Sequence, residues 1–361
     1  MNRIKRIMSL CVCTVCLAAT AKVATVLEKE TGMPVEGATA FGRSGRIVGQ
    51  TDAAGRIQAP DAEFPLTIRC MGYRAGIADG ADTLRLEERD YALDTVTVSP
   101  GSRPVTRIVG FAREYATGAT TTDTVTQLSE FMAELYLAPD KTKGYKKEDS
   151  RLRIRNRRAL VRTVRADGTD SIYAGTTDIS LLQHIFFIPA EMELTDLMKR
   201  GAPTGQIPGK YAPRTILRTD GRRLRALINP LSDFKEHKMS PWIFKLLGLS
   251  MDMTRFDIRY DYRQHADTSA YLPAELLESA VDARIVGSGR WIKKAFGTKE
   301  PVTMDMYMEF YPLDVTHLSI DEYKELRSDK DPLPWATTPS IPPLPAPYDS
   351  ITHRLTTQQN Q

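Results

Sequence analysis

An arginine-rich segment holds the side chains whose type and spacing most clearly suggest chemistry. Residues 141–165 contain eleven basic and two acidic residues. Within this segment Arg151, Arg153, Arg155 and Arg157 alternate with other residues, so on a strand they would share one face. Guanidinium groups bind phosphate, sulfate and carboxylate groups through paired contacts. We predict an anion- or glycan-binding strand, with lipid head groups as a further ligand. The alternative is a solvated face, or a charged edge strand that opposes aggregation.

Three aromatic residues form a second set of candidates. Trp242 and Phe244 lie in the apolar stretch 241–248, where Pro241 at the start and Gly248 at the end predict a short helix. Trp291 stands close to two lysines. Core packing is one interpretation of these side chains. Contact with an apolar ligand, a lipid or a sugar ring is the other.

The residue patterns of common enzymes are missing from the sequence. It has no G-x-S-x-G, P-loop or H-E-x-x-H motif, and its five histidines lack metal-ligand spacing. We therefore predict no catalytic residue, no cofactor and no metal, and a binding or scaffold role. One enzymatic alternative stays open, because Asp257, Asp261, Asp305 and Glu309 alternate along strands. A glycan-acting hydrolase would need two such carboxylates roughly 5–10 Å apart.

The first 21 residues have the pattern of a secretory signal peptide. Arg3, Lys5 and Arg6 precede the apolar run 7–19, and residues 19–21 read Ala-Thr-Ala. This order predicts cleavage before Lys22 and export from the cytoplasm. Cleavage would remove three of the four cysteines and lower the formal charge from +4 to +1. That charge does not favour a nucleic-acid partner. Envelope proteins, glycans and lipid head groups remain candidate partners, with peripheral membrane association, and the oligomeric state stays open.

Residues 22–99 predict a small β-sandwich of short strands. The stretch 66–71 alternates, which predicts a half-buried strand with Leu66, Ile68 and Cys70 on its apolar side. Thr51, Asp52 and Gly55 form a turn signal, because the Asp52 side chain can accept from the backbone two residues on and glycine adopts positive φ freely. We predict that this turn closes a hairpin.

Four motifs in this region occur in a characteristic order. They are the Thr-Gly turn followed by Gly-Ala, the Thr-Asp-x-x-Gly turn, Gly72-Tyr73 after a buried strand, and Leu-Asp-x-Val-x-Val at 93–98. Together they resemble the carboxypeptidase regulatory-like domain. The resemblance implies a prealbumin-like β-sandwich, with a carbohydrate-binding-like fold, that serves as an accessory module and not as the peptidase. Because this module occurs in many envelope proteins of Gram-negative bacteria, the resemblance also implies a location in the periplasm or outer membrane of such a bacterium.

Residues 100–331 predict a mainly β, α+β domain with a curved antiparallel sheet and few helices. The stretches 255–263, 279–287 and 303–311 alternate between apolar and polar residues, which predicts a sheet with one buried face. Ser319 and Glu322 form a capping box that predicts a helix. Residues 127–137 fit a helix or a strand equally well. The outline is similar to periplasmic carriers of the LolA type, so a carrier of an apolar ligand is a further hypothesis.

Residues 332–361 predict a proline-rich tail. Seven prolines occur between 332 and 347, a density typical of extended polyproline structure. Two arrangements stay open, one in which the tail wraps around the preceding domain and one in which it extends into solvent.

Overall fold

The structure is a computed structural model. It describes residues 21–359, except 90–102, 178, 195, 220–221, 240–248, 264–269, 290–291, 294–295, 299 and 337–340. The protein is mainly β, with several sheets built largely from antiparallel strands. Residues 1–20 of the predicted signal peptide, the segment 90–102 and the predicted helix at 241–248 lie outside the described residues. Among the described residues, no helix is long and apolar enough to cross a membrane.

The N-terminal domain, here called the sandwich, contains two small sheets. Its strands are β1 (Ala21–Glu28), β2 (Thr39–Phe41), β3 (Ile47–Gln50), β4 (Arg56–Pro60), β5 (Leu66–Arg69), β6 (Gly76–Ala78) and β7 (Thr83–Leu86). One sheet has the order β4-β1-β7 and the other β3-β2-β5-β6. Strand β1 runs antiparallel to β4 and parallel to β7. Buried apolar residues of both sheets, including Val26, Ile57 and Ile68, form the core between them.

The turn at 51–55 has the predicted local chemistry, but it does not close a hairpin. The amide of Ala54 donates to Asp52 Oδ1 at 2.9 Å, and Gly55 has a φ of 71°. Thr51 is buried and its hydroxyl donates to Val35 O at 2.6 Å. The flanking strands β3 and β4 belong to different sheets. The hairpin prediction was therefore wrong, because local turn chemistry does not determine which strands pair.

The second domain is organised by one large sheet, here called the ten-stranded sheet. Its strands are β8 (Val105–Ala119), β9 (Thr124–Leu137), β10 (Arg153–Val164), β11 (Asp170–Ala174), β13 (Thr204–Pro208), β14 (Pro213–Thr219), β15 (Arg223–Ile228), β16 (Leu249–Arg263), β18 (Leu276–Gly289) and β19 (Val302–Leu318). Their order is β11-β10-β9-β8-β19-β18-β16-β15-β14-β13, with antiparallel neighbours throughout. Two short strands, β12 (Met192–Glu193) and β17 (Ala270–Tyr271), pair separately. The ambiguous stretch 127–137 is thus part of a strand.

The described residues include four α-helices. They are α1 (Leu182–Ile185), α2 (Asp196–Lys199), α3 (Ile320–Ser328) and α4 (Ala346–Gln359). The predicted start of α3 is confirmed, because Ser319 and Glu322 form a reciprocal capping box. Helix α4 was not predicted, since the prolines around its first turn resemble those of an extended tail.

One face of the ten-stranded sheet, here called the apolar face, supplies the largest core. It carries aliphatic, methionine and aromatic side chains such as Phe131, Ile258, Met306 and Phe310. Residues of the connection between β11 and β13, including Phe186, pack against this face. This arrangement matches the buried face that the alternating pattern predicts.

The opposite face, here called the charged face, is buried as well. Asp261, Asp282 and Glu309 point to this side, and at most 2% of each residue is exposed. The sandwich covers them, so the prediction of a single buried face was wrong for the ten-stranded sheet. Strand β5 of the sandwich, which was predicted to be half-buried, is likewise buried on both faces. All four of its residues are buried, because Thr67 and Arg69 face the ten-stranded sheet and not solvent.

The C-terminal segment follows the charged face beside the sandwich. Leu333, Trp335 and Ile341 pack against apolar side chains of β8, β9 and β19. Helix α4 buries Tyr348 and Ile351 in a cluster that includes Phe41 of the sandwich. Of the two open arrangements for the tail, the structure has the wrapped one.

A candidate ligand-binding cleft between the two domains

The predicted arginine row is divided between different environments. Arg153 pairs in register with Glu134, but a bulge between Ile154 and Asn156 interrupts the alternation at Arg155. Beyond the bulge Arg157 pairs with Phe131, on the apolar face. The expectation that the four side chains share one face was therefore wrong.

The arginines in the middle of this segment form ion pairs within the protein. Arg153 and Arg155 both form ion pairs with Glu134, which is fully buried. Arg155 has a side chain only 4% exposed and also pairs with Asp329. Arg157 donates to Ser129 Oγ at 3.2 Å, while Arg151 is exposed just before the strand. Most of these guanidinium groups therefore make contacts within the protein and do not form a free row of donors for an external anion.

The three aromatic candidates cannot be assigned to a site. Trp242, Phe244 and Trp291 all lie outside the described residues. Met239, just before this region, forms a bridge with Met253 of β16. The two interpretations of these aromatic residues therefore stay predictions.

A buried ion pair joins the sandwich to the middle of the charged face. Arg69 of β5 donates from Nε to Glu309 Oε1 at 2.6 Å and from Nη2 to Glu309 Oε2 at 2.9 Å. Its Nη1 donates to Pro343 O at 2.8 Å, so the same side chain also holds the C-terminal segment. The two side chains are 4% and 2% exposed. Paired hydrogen bonds of this kind fix position as well as charge.

A second group of contacts lies beside the predicted turn residues Gly72 and Tyr73. Arg89 donates to Glu278 Oε2 at 2.7 Å, and the Gly72 amide donates to the same oxygen at 3.2 Å. Gly72 has a φ of 83°, and a Cβ atom there would lie 3.2 Å from Asp261 Oδ2. Glycine therefore permits both the backbone conformation and the close approach of the two domains.

Tyr73 completes this group on the side that faces strand β15. Its hydroxyl accepts from Arg225 Nη1 at 3.1 Å, and the guanidinium lies 5.2 Å from the ring centroid. Arg225 also pairs with Glu88 of the sandwich. The residues predicted to define a turn therefore take part in the domain contact.

Asp261 is the most perturbed carboxyl group of this region. Burial raises its pKa to about 7, although Arg225 and Arg223 favour the ionised form and Glu278 opposes it. Arg223 Nη1 and Arg225 Nε are 3.5 and 4.0 Å from Oδ2. At these distances the two arginines do not offset the loss of water around the carboxylate.

A cleft of about 510 Å³ is lined by the sandwich on one side and by strands β14, β15 and β16 of the ten-stranded sheet on the other. The sandwich contributes the turn after β1, the start of the 51–55 turn, Cys70, Met71, Tyr73 and Glu88. The sheet contributes charged-face residues of β14, β15 and β16. Apolar side chains and eight charged side chains share the lining. The charged ones are Glu28, Glu36, Glu88, Arg218, Arg223, Arg225, Asp257 and Arg259.

Asp257 and Arg259 form the inner part of this cleft. They lie two residues apart on β16 and so share the charged face. Arg259 Nη2 is 3.8 Å from Asp257 Oδ2, and the side chains are 12% and 16% exposed, respectively. Burial raises the pKa of Asp257 and Arg259 lowers it, with burial the larger effect. Gly37 packs directly against the Arg259 guanidinium, where a Cβ atom would lie 2.3 Å from Nη2.

The cleft has a charged pair at a more exposed position. Glu36 of the sandwich and Arg218 of β14 approach to 3.5 Å, and their side chains are 41% and 57% exposed. An exposed pair at this distance contributes little to stability. The two domains can therefore change this contact at low cost.

Cys70 also lines the cleft and is half-buried. Burial raises the pKa of its thiol to about 11. The group is therefore protonated at neutral pH and is a weak nucleophile, since the thiolate is the reactive form. This agrees with an inert cysteine. Because Cys70 lines the cleft, its slow alkylation at alkaline pH would report access to the cleft.

The residues of the cleft were not predicted as a site, because they come from distant parts of the sequence. A signal was present in residues 255–263, where arginine and aspartate alternate on one face. A face that carries positive and negative side chains in regular alternation indicates contact with another part of the protein more than exposure to solvent. Among the described residues, no group of three or more His, Cys, Asp and Glu side chains is placed to hold a metal ion.

Comparisons with known proteins add little to this geometry. No family model matches the chain, and no curated protein matches it either. Among solved structures, the chain is similar to a protein described as "lipid-protein interactions in lipovitellin". The TM-score is 0.30 with 9% identity, and the match covers 60% of this chain and 26% of that one. A likeness at this level carries no argument about fold or ligand.

Proposed function

We propose that the protein is an exported, non-enzymatic binding protein of the bacterial cell envelope, with the interdomain cleft as its ligand site. The observation that carries the proposal is a cleft lined by both domains, whose walls are fixed by the buried Arg69–Glu309 and Arg89–Glu278 pairs. Ligand sites occur preferentially at domain junctions, and a volume of 510 Å³ is typical of a small-molecule site. The signal-like N-terminus and the resemblance to an accessory module support the envelope part of the proposal.

The lining favours a polar ligand over the apolar ligand of a carrier. A carrier cavity would be lined by Phe, Met and Leu without charges, whereas eight charged side chains line the cleft. The anion-binding idea for residues 151–157 is not renewed, because Arg153 and Arg155 are already engaged in ion pairs with the buried Glu134, and Arg155 with Asp329 as well.

The alkylation of Cys70 tests the proposal directly. The protein would be incubated with saccharides, phospholipids, lipopolysaccharide fragments and cell-wall peptides. The modification of Cys70 by excess iodoacetamide at about pH 9, where more of the thiol is ionised, would be followed by peptide mass spectrometry. We expect at least one class to slow the reaction and to raise the melting temperature. If no class protects Cys70, the proposal is wrong.

Two matched variants test whether the protection of Cys70 depends on the cleft or on the sheet in general. Leu227→Trp places a bulky ring in the cleft lining on β15, and we expect it to abolish the protection. Tyr173→Trp places the same ring on β11, at the opposite edge of the ten-stranded sheet, where Tyr173 is 46% exposed. It should leave protection unchanged, and equal loss in both variants would contradict the site.

A glycan-acting hydrolase is a second candidate, favoured by one observation. A general acid needs a raised pKa, and burial raises that of Asp257, with Glu36 adding a smaller effect in the same direction. Release of reducing sugar from an oligosaccharide by the unmodified protein, and its loss in Asp257→Asn, would establish this candidate. Binding without turnover would exclude it for the saccharides tested.

A further inference from the structure

Two opposite charges in the cleft lack hydrogen bonds. Within the part of the chain that the structure describes, the side chains of Asp257 and Arg259 have no hydrogen bond to another residue. Their one mutual contact, at 3.8 Å, is too long to be one. Buried charged groups without hydrogen bonds are costly to maintain. A ligand that accepts from Arg259 and donates to Asp257 would satisfy both.

The charge balance of the cleft narrows the ligand class. Four arginines and four acidic residues line it, so the lining has no net formal charge. A ligand with a strong net charge would meet as many repulsive as attractive groups. A hydroxyl group carries no net charge, and it both donates and accepts hydrogen bonds. Neutral ligands with several hydroxyl groups therefore fit the cleft best.

The apolar part of the lining matches one side of such a ligand. Ile216, Leu227 and Arg259 are register partners across β14, β15 and β16, so they form one row on the charged face. The first two have half-buried aliphatic side chains on the same face of the sheet as Arg259. A sugar ring has an apolar C–H face and a polar hydroxyl edge, which would contact the aliphatic and charged parts of this row.

We propose that the cleft binds a neutral saccharide, with ring hydroxyls on Asp257 and Arg259 and the apolar ring face on Ile216 and Leu227. The proposal rests on the proposed function, since it names the ligand class of the same cleft. It differs from the predicted glycan contact at residues 151–157 in position, in residues and in the charge of the ligand.

The test compares neutral and anionic sugars on the whole protein. A set of neutral disaccharides, including N-acetylglucosamine, glucose, galactose and mannose pairs, and a digalacturonate would be titrated by calorimetry and by saturation-transfer NMR. We expect a neutral disaccharide to bind. Asp257→Asn should weaken that binding roughly tenfold or more, because a hydrogen bond to a charged group is lost. The control Asp314→Asn, at an exposed position on β19, should leave binding unchanged.

The result for Asp257→Asn also distinguishes a neutral ligand from an anion. Removing the negative charge would strengthen the binding of an anion, so tighter digalacturonate binding without neutral binding would overturn the proposal. If the variant does not fold, Leu227→Trp still tests whether the neutral disaccharide binds in the cleft, and loss of its binding is the expected result. If lipids or peptides protect Cys70 and neutral sugars neither bind nor protect it, this inference fails and the proposed function stands. If nothing protects Cys70, both fail.

Discussion

At the scale of single residues, the charged side chains of the ten-stranded sheet find their partners on other elements. Glu309 is held by Arg69 of the sandwich, and Glu278 by Arg89. Asp282 accepts from the Thr39 hydroxyl at 3.3 Å and pairs with Arg255 of the neighbouring strand. Buried charges require such partners, because an unpaired one costs several kcal/mol (about 3–5). The charged residues of β16, β18 and β19 therefore require a covering surface with complementary groups, which the sandwich provides.

Asp261 gives this interface a dependence on pH. Its pKa in the folded protein is about 7, above the ordinary value of 3.8, so the folded state binds its proton more tightly than the unfolded state. The stability that Asp261 contributes through its bound proton is complete below the ordinary pKa of 3.8. It is lost as the pH rises from there to about 7. We expect the free energy of unfolding to fall by roughly 1.4 kcal/mol per pH unit in this window because of Asp261.

Urea unfolding of the unmodified protein and of Asp261→Asn at about pH 5 and pH 8 measures this effect. Relative to the unmodified protein, the variant should gain stability between the two pH values. The groups that face Asp261 are Arg223, Arg225 and Glu278, and they are the same in both proteins. Parallel pH dependences of the two proteins would show that Asp261 does not titrate in this range.

At the scale of secondary-structure elements, α4 and the segment before it act as a strap across two domains. Tyr348 is fully buried, with its ring 6.0 Å from Phe41 of the sandwich and 5.0 Å from Tyr115 of β8. Arg113 of β8 donates to Pro342 O at 2.9 Å. At the far end, Arg354 pairs with Asp170 of β11. The strap therefore closes an aromatic cluster to which three parts of the chain contribute.

Truncation of Tyr348 tests the strap. Tyr348→Ala should lower the free energy of unfolding by about 3–5 kcal/mol, the usual cost of deleting a buried aromatic ring. Tyr348→Phe is the matched control, because the Tyr348 hydroxyl is buried and has no hydrogen-bond partner among the described residues. Its stability should equal or slightly exceed that of the unmodified protein. A small loss for the alanine variant would mean that α4 does not pack as described.

The elements with local signals were predictable, and those that depend on pairing were not. The turn at 51–55 and the capping box of α3 follow from side chains within a few residues of each other. Strand β10 contains a bulge that depends on its register with β9, so no local pattern marked Arg155 as the extra residue. Helix α4 was hidden because Pro345 and Pro347 suit an extended chain as well as the start of a helix.

The candidate site was the least predictable feature, because its residues are far apart in the sequence. Asp257 and Arg259 were visible as part of an alternating strand, and Asp257 was named as a carboxylate with an open role. Their neighbours Glu36, Gly37 and Cys70 lie about two hundred residues earlier in the sequence. Only the docking of the sandwich on the charged face brings the two sets together, so residue patterns alone did not identify the cleft.

At the scale of the whole molecule, the two domains and the strap share their buried charges. Arg69 contacts the ten-stranded sheet and the C-terminal segment at once, and Arg162 of β10 donates to Ser44 O of the sandwich at 2.7 Å. An interface of this kind couples the stability of the sandwich to that of the sheet. The cleft is shaped by the same docking, and its ligand would bind most tightly to the docked form.

A double-mutant cycle on Arg69 and Glu309, measured by urea unfolding of the whole protein, tests this account most directly. We expect Arg69→Met and Glu309→Gln each to lower the free energy of unfolding by about 3–5 kcal/mol, since each leaves a buried group without its partner. The double variant should lose much less than the sum, with a coupling of at least about 2 kcal/mol. Additive losses, or single losses near zero, would show that the sandwich does not dock on the charged face and that the cleft between them does not exist.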